Sequence, residues 1–549
     1  MREMQIDDTK SSVPVSDRDA DQTLLDFFDK AVTQMPNKVA VITYASGNRT
    51  SLTYAEIAAH VDAIAGNLLA MGLGRGSVVS YQLPNWWQAI ALHLAALKIG
   101  AVSNPLMPFL RERDLQFMLS LAETDLFVAP AVFRGFDHQQ MARRLLVAVP
   151  TLKHIRIVGG DPGIAFEEML LEPSCTASRA HVGREDIVQY LFTSGTTGEP
   201  KCVIHTSRSL LTMMEQTAES LHLSDGEVVF MAMPLSHQGG FITAIVLPIM
   251  LGATTVLQDR WQPLEAVRIF TAERVTMTLG ATPFLSDITD VVEETGERPA
   301  DLRIFITSGA AIPRNLIRRA KVALRCHLIP SWGMSECGFS TMAKIDSTDE
   351  KICATDGCAL PLMEVRVVDD QSLAVPLESE GRLQVRGPNL FSSYLKRPEL
   401  SALEPGGWFD TGDLARMDGD GYIRITGRTK DIVIRGGENI PVVEIEQVMY
   451  RHPSVLEFAV VGMPDERLGE RLCAFAVLRP NCTLNLAEMT RYLADESMAK
   501  SYWPEHLVCV EAMPRTQTGK IQKFILRDQA KLIAPNVSVR KNDDTKTNQ

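Results

Sequence analysis

The sequence has no run of lysines or arginines that could focus a basic patch. Its 55 basic residues are outnumbered by 67 acidic ones, for a net charge of −12. Such a chain repels a phosphate backbone, so no nucleic-acid partner is expected, although small anions can still bind in local electropositive pockets. Cysteine is scarce and scattered: the nine, at 175, 202, 326, 337, 353, 358, 473, 482 and 509, include no Cys-x-x-Cys. An odd count without metal-ligand spacing speaks for free thiols in a reducing compartment and against a disulfide framework or a zinc site. Cys353 and Cys358 are expected to be two buried thiols near a turn. Residues 1–20 carry Asp7, Asp8, Asp17, Arg18 and Asp19 but no apolar core, so a signal peptide is not expected. The longest stretch free of charge and histidine, Gln238 to Gln258, reaches the length of a membrane span. Pro248 and Gly252 interrupt it and Ala253-Thr254-Thr255-Val256-Leu257 is β-branched, which predicts a buried helix and then a buried strand. A soluble, cytoplasmic protein without an integral membrane segment is the expectation.

With 549 residues, 45% of them apolar and 22% charged, the chain is too long for one core and too apolar for disorder, so at least two domains are expected. Helical and strand patterns alternate through most of it. Tyr54 to Met71 reads as a helix stopped by Gly72, and Ser77 to Gln82 as a strand. Trp87 to Ile99 reads as a helix ending at Gly100, with a strand near Ala101 to Ser103. Ile155 to Val158, Val228 to Met231 and Arg303 to Ser308 are further strand candidates, so an α/β architecture with largely parallel sheets is predicted. In such sheets ligands collect at the carboxyl ends of the strands. After about residue 360 short strands and turns dominate: Glu364 to Val368, Gly381 to Val385 and Gly421 to Thr426, with Asp418-Gly419-Asp420-Gly421 as a turn. A compact αβ segment of about 120 residues follows Gly427-Arg428-Thr429-Lys430-Asp431.

The most informative stretch is Thr193-Ser194-Gly195-Thr196-Thr197-Gly198-Glu199-Pro200-Lys201, directly after the apolar run Ile187 to Phe192. Hydroxyls and two glycines let backbone N–H groups approach a polyphosphate, and Lys201 adds a positive charge at the edge. The Walker A spacing is absent. This nonapeptide resembles the signature of the acyl-adenylate-forming enzymes, the superfamily of acyl-CoA synthetases, peptide-synthetase adenylation domains and firefly luciferase. Five further motifs stand in that family's order, and the resemblance runs from about Leu24 to Leu532.

The resemblance implies a large N-terminal α/β domain over residues 1–429, of mostly parallel sheets flanked by helices with a β-rich subdomain. A small mobile α+β C-terminal domain over 430–536, a site between the two and a frayed tail at 537–549 complete the picture. It also implies ATP and Mg²⁺ as cofactors and coenzyme A as co-substrate. Ser331-Trp332-Gly333-Met334-Ser335-Glu336 resembles the family's Tyr-Gly-x-Thr-Glu motif, which gives Glu336, with Thr197, the role of holding Mg²⁺ on the ATP phosphates. Trp332 stands where tyrosine is commonest and stacks on adenine in this reading; Gly333 and Ser335 belong to the same motif. Thr307-Ser308-Gly309-Ala310-Ala311 resembles the adenine-binding strand end. Trp408-Phe409-Asp410-Thr411-Gly412-Asp413 resembles the ribose motif, with Asp413 accepting from both hydroxyls and Arg428 reaching the ribose or phosphates. Alone, Thr-Gly-Asp is an ordinary turn. Pro514-Arg515-Thr516-Gln517-Thr518-Gly519-Lys520 resembles the C-terminal lysine motif, which makes Lys520 a mobile charge for phosphoryl chemistry. His237, before Gln238-Gly239-Gly240, falls where the family gates its acyl pocket. Lys430 stands at the hinge position, and Gly436-Gly437 would line the pantetheine arm of CoA.

The implied reaction has two halves. A carboxylate displaces pyrophosphate from ATP, and a thiol then displaces AMP from the acyl-adenylate. Two unit charges about 4 Å apart interact by roughly 4 kcal/mol at an effective dielectric near 20, so Lys201, Lys520 and a cation on Glu336 have real leverage over the first half. The segment after His237 lacks the aspartate that amino-acid-activating domains use for an α-ammonium. Gly239, Gly240, Gly280, Ala281, Gly309 and Met334 suggest an apolar pocket of moderate size for a medium-chain, alicyclic or aryl acid. Arg435 to Glu446 looks most like the medium-chain and cyclohexanecarboxylate CoA ligases. The expected partners are thus a small carboxylic acid, ATP and CoA, with a homodimer allowed. The alternative is transfer to a carrier-protein phosphopantetheine or an amine in natural-product biosynthesis. A kinase or NTPase would make ADP and phosphate and lacks its loop here, and a non-catalytic relative would have lost Lys520 or Glu336, both of which are present.

Overall fold

The computed structural model describes residues 21–172, 177–193, 200–309, 314–401, 403–429, 433–435, 438–440, 442–465, 468–496, 498, 500–515 and 521–533. The chain divides into two compact units. One runs to Thr411 and takes in Ala415–Ile425; the other holds Gly412–Leu414 and Thr426–Thr516.

In the first unit, local signals set the helices. Thr53 caps the helix Tyr54–Ala70 by accepting from the Glu56 N–H, while the Glu56 carboxylate accepts from the Thr53 N–H at 2.7 Å. The helix Trp87–Ile99 ends at Gly100, whose φ of +75° only glycine adopts without strain, and Ala101 N–H closes the end on Ala96 O at 2.9 Å.

The strands alternate with these helices and form two sheets. A seven-stranded sheet has the order Ser393–Tyr394, Lys201–Thr206, Ile187–Thr193, Val102–Pro105, Val78–Tyr81, Leu126–Pro130, His154–Val158. Its last five strands pair in parallel, and the first two join antiparallel at one edge. A nine-stranded sheet has the order Cys358–Ala359, Gly338–Met342, His327–Met334, Ile304–Thr307, Met277–Gly280, Val228–Met231, Thr254–Gln258, Val39–Ala45, Asn48–Thr53. Its central run from His327–Met334 to Val39–Ala45 is parallel. One continuous apolar cluster takes residues from both sheets (Val79, Leu191 and Val203; Val229, Leu279 and Ile306) and from the helices between them.

The charge-free stretch folds as buried core. Gln238–Phe241, a π-helical turn at Ile242–Val246 and Leu247–Leu251 lead through Gly252 into the strand Thr254–Gln258, which is buried and parallel to both neighbours. Among the described residues no helix is long and apolar enough to cross a membrane. Eight cysteines are described, all free, and Cys353 and Cys358 are half-buried where full burial was expected.

A smaller sheet contains Glu364–Val368, Gly381–Arg386, Phe409–Met417 and Ile423–Arg428 in that order. The last strand begins two residues later than the sequence predicts. The Asp418 carboxylate accepts from the N–H groups of Asp420 and Tyr422 and so extends the turn to Tyr422.

The second unit has its own sheet. Val455–Asp465 and Gly469–Leu478 pair antiparallel, His506–Cys509 lies parallel to the latter, and Val433–Arg435, which carries Glu438–Ile440, also joins Gly469–Leu478 with Arg435 opposite Gly469. Both faces are buried, and the core that each residue faces alternates with period two. Phe458, Val460, Leu472 and Ala474 face a core completed by the helices Val442–Met449 and Leu486–Asp495, while Val461, Cys473 and Phe475 face one that includes Leu526 of Lys523–Ile533.

Candidate active site

The hydroxyl-rich nonapeptide is a connection between antiparallel strands. Ile187–Thr193 and Lys201–Thr206 pair with Thr193 opposite Lys201, and Thr193 Oγ1 donates to Lys201 O at 3.4 Å. Ser194, Gly195, Thr196, Thr197 and Gly198 lie outside the described residues, so the structure fixes only the two ends of the loop. At its far end Lys201 extends over the ring of Tyr394, with Nζ 4.4 Å from the centroid. Tyr394 reaches that place because Ser393–Tyr394 is an edge strand, paired with Val203 and Ile204.

The Tyr394 hydroxyl donates to Glu336 Oε1 at 2.6 Å. Burial raises the affinity of this phenol for its proton, and the Glu336 charge adds to the effect, so it stays a donor at any physiological pH. Glu336 sits in the tight turn between His327–Met334 and Gly338–Met342, closed by Cys337 N–H on Met334 O at 3.2 Å. Gly333 is obligatory there: a Cβ on it would stand 1.8 Å from the Gly338 carbonyl oxygen.

Two further bonds fix this turn from the same strands. Phe391 N–H donates to Glu336 O at 2.7 Å, and the His205 ring meets Ser335 O through Nε2 at 2.8 Å. A carbonyl only accepts, so His205 carries its proton on Nε2, with Nδ1 3.0 Å from Ser209 Oγ. Burial pushes its pKa down to about 4, which keeps it neutral near pH 7. Glu336 is 6% exposed, a buried carboxylate oriented by at least one donor.

The other predicted residues of the first unit lie at a strand end, within a strand and at a helix start. Gly309, at φ +85°, follows Ile304–Thr307, and Ser308 N–H reaches Gly280 O at 3.4 Å; Ala310 and Ala311 are outside the described residues. Trp332 is only 8% exposed and belongs to the main apolar cluster, which leaves little of its ring for a ligand. His237 caps the short helix Gln238–Phe241, where its Nδ1 accepts from Gly239 N–H at 3.2 Å. The loop before it is clamped by Asn85, whose amide donates to Met233 O at 2.9 Å and accepts from Leu235 N–H at 3.0 Å. Two of the small residues expected to shape the acyl pocket answer to close packing as well. A Cβ on Gly240 would lie 2.3 Å from Pro234 O, and one on Gly280 would lie 2.9 Å from Phe284 Cβ.

In the second unit Arg428 Nε donates to Asp413 Oδ1 at 2.8 Å, and the carboxylate is 4% exposed. Thr429 N–H and Oγ1 both donate to Gly412 O, at 3.0 and 3.1 Å. Lys430, Gly436, Gly437 and Lys520 lie outside the described residues. Within the first unit the structure brings together Thr193, Lys201, Ser335 and Glu336, and within the second it pairs Asp413 with Arg428. Tyr394, His205 and Asn85 escaped the sequence reading, since their partners are 58 to 150 positions away. No local pattern marks them beyond the strand positions they occupy. Among the described residues no three His, Cys, Asp or Glu side chains cluster as a metal cage. One oriented, buried carboxylate suits Mg²⁺, which takes one or two carboxylates and completes its shell with substrate phosphates and water.

The sequence matches the family model described as AMP-binding enzyme over residues 28–395 and that of the AMP-binding enzyme C-terminal domain over 444–520. It is 36% identical over 522 residues to the medium-chain fatty-acid–CoA ligase of Escherichia coli (strain K12), covering 92% of this chain and 90% of that one. A salicylyl-CoA synthase / salicylate adenylyltransferase of a Streptomyces species is 32% identical over 87% of this chain and 89% of its own. The solved structure of ATP-bound MatB from Rhodopseudomonas palustris superposes with a TM-score of 0.84 at 26% identity, covering 93% of this chain and all of that one. The architecture, the Glu336 turn and these matches agree: the chain belongs to the AMP-binding enzyme family and is an adenylate-forming acid–thiol ligase.

Proposed function

We propose that this ligase activates a medium-chain, alicyclic or aryl carboxylic acid as its acyl-adenylate and transfers the acyl group to the thiol of coenzyme A. The observation that supports this most directly is the convergence of Lys201 and Glu336 on Tyr394 at the end of the hydroxyl-rich loop. A cation and a metal-binding carboxylate there serve a nucleotide triphosphate. The E. coli relative, which by its name joins medium-chain fatty acids to CoA, supports the choice of acid and acceptor.

In the first half-reaction a substrate carboxylate oxygen forms a bond to the α-phosphorus of ATP, and the bond to the bridging oxygen breaks to release pyrophosphate. Bound Mg²⁺ supplies charge neutralisation on the phosphates. Glu336, with Thr197, holds it, and Lys201 and Lys520 offset the remaining charge on the oxygens. Gly309, Ala310 and Ala311 line the adenine at the carboxyl ends of the parallel strands, with Trp332 and Gly333 beside them. Asp413 accepts from the ribose hydroxyls with Arg428 as its neighbour. His237 borders the acyl group, a role that its place at a helix start next to Gly239 and Gly240 supports.

In the second half-reaction the CoA sulfur attacks the acyl carbonyl, its proton passes to solvent, and the bond to the AMP phosphate oxygen breaks. Lys520 serves the first half and Gly436-Gly437, beyond the hinge residue Lys430, the second.

The salicylate-activating relative, which by its name adenylylates salicylate and makes salicylyl-CoA, supports an aryl acid as substrate; the second reading passes the acyl group to a pantetheine thiol on a carrier protein or to an amine. Product analysis with ATP, Mg²⁺ and CoA across hexanoate to dodecanoate, cyclohexanecarboxylate and benzoate tests both. AMP, pyrophosphate and acyl-CoA formed together bear out the CoA ligase, and the rate profile sizes the pocket. Acid-dependent pyrophosphate without CoA thioester moves the acceptor to a carrier or an amine. Acid-independent ADP refutes the proposal.

A further inference from the structure

We propose that Tyr394 is a positioning residue for the nucleotide: its hydroxyl sets the plane of the Glu336 carboxylate and its ring face sets the Lys201 ammonium, so one side chain fixes the spacing between the metal-binding and phosphate-binding charges. The inference rests on the roles given above to Glu336 and Lys201.

Three observations carry it. First, the two charged groups meet the same side chain at different places, Glu336 Oε1 at the hydroxyl (2.6 Å) and Lys201 Nζ over the ring (4.4 Å to the centroid). Carboxylate and ammonium are thus held apart by a rigid spacer, and neither has to collapse onto the other as a direct ion pair. Second, the hydroxyl is not needed to build the strand. Ser392 N–H donates to Ile204 O at 2.9 Å and Leu395 N–H to Cys202 O at 2.8 Å, while the Tyr394 ring packs edge-on against Phe391 at 4.8 Å. Phenylalanine would satisfy all of that packing. Third, the carboxylate it serves is buried, where a charge-assisted hydrogen bond is stronger and more directional than at the surface. Phe391 N–H and His205 tie only the backbone of the Glu336 turn, whereas the phenol acts on the carboxylate itself. Groups that orient a metal-binding side chain in this way typically contribute 10- to 100-fold to metal affinity.

The test uses the full chain, an ATP analogue with a methylene between the α- and β-phosphorus, and a Mg²⁺ titration. In Tyr394→Phe the Mg²⁺ concentration for half-maximal analogue binding is expected to rise about 10- to 100-fold. Analogue binding without Mg²⁺ stays at the wild-type value, the unfolding temperature falls by no more than the loss of one buried hydrogen bond, and kcat with ATP recovers at saturating Mg²⁺. Tyr394→Leu, which also removes the ring from Lys201, weakens analogue binding without Mg²⁺ by a further factor of about 2–5, the scale of one partly exposed cation–π contact. A wild-type Mg²⁺ titration in Tyr394→Phe overturns the proposal. So does a loss of binding that is equal at every Mg²⁺ concentration and tracks a lowered unfolding temperature. If the wild-type chain itself binds the analogue without any dependence on Mg²⁺, the roles of Glu336 and Lys201 fall, and this inference falls with them.

Discussion

Replacing Glu336 by glutamine isolates the charge of the carboxylate from its shape. The side chain is 6% exposed and accepts the Tyr394 hydroxyl at 2.6 Å. Glutamine keeps an acceptor for that bond but turns it from charge-assisted to neutral, a loss of about 1–2 kcal/mol. Removing a buried charge recovers desolvation free energy of the opposite sign. The two effects offset, so the variant is expected to fold with a stability within about 2 kcal/mol of wild type. Catalysis has no such offset. In the proposed reaction the carboxylate would hold a divalent cation against the phosphates, in a site where even unit charges about 4 Å apart interact by roughly 4 kcal/mol. Acid-dependent exchange of labelled pyrophosphate into ATP is therefore expected to fall about 10²–10³-fold, the scale for removing one group that stabilises a transition state. The assay is that exchange, measured across a Mg²⁺ titration with thermal unfolding in parallel. Wild-type exchange with wild-type Mg²⁺ dependence in a folded Glu336→Gln protein would remove Glu336 from the metal site. A collapse of the unfolding temperature would instead assign the residue to the fold.

Lys520→Ala is expected to slow adenylation about 10²–10³-fold while thioester formation from supplied acyl-adenylate continues; equal loss in both half-reactions refutes the division of labour. In Gly333→Ala the new methyl would stand 1.8 Å from Gly338 O, so the hairpin must open. A cost of about 1–3 kcal/mol in unfolding experiments, with a raised KM for ATP, is expected, and wild-type values for both would show that the strand pair yields freely. His93 is fully buried, with Nδ1 2.7 Å from Ser103 Oγ, and burial pushes its pKa down to about 3 from the ordinary 6.5. Between those values the unfolded chain binds the extra proton, so the stability due to neutral His93 is complete above pH 6.5 and is lost as pH falls toward 3, about 5 kcal/mol in all. His93→Gln should flatten the acid limb of the stability profile, and an unchanged limb would show that His93 is not the group responsible.

What could be read from the sequence was what local physics decides. Gly100 ends its helix with a positive φ, and Thr53 and Glu56 cap theirs over three residues, so those boundaries hold to within a residue or two. The Ile423–Arg428 strand was placed two residues early because the Asp418 side chain, not glycine alone, decides where the turn ends. The motifs pointed to residues expected to carry chemistry but not to what holds them. Glu336 was legible as a candidate metal-binding carboxylate; its partner Tyr394 was not legible, because nothing in Phe391-Ser392-Ser393-Tyr394 announces that an edge strand will bring a phenol to a carboxylate 58 positions earlier. His205 reaches its carbonyl across 130 positions, and its neutrality comes from burial, which appears only once both sheets are packed. The same sheet edge therefore does two jobs. The strand Lys201–Thr206 presents Lys201 at the end of the hydroxyl-rich loop and His205 to the Ser335 carbonyl, and it supports the strand that carries Tyr394. A shift of that edge by one residue would reverse the face of Lys201, His205 and Tyr394 together, so the register of three short strands sets how the Lys201 ammonium and the Glu336 carboxylate meet Tyr394.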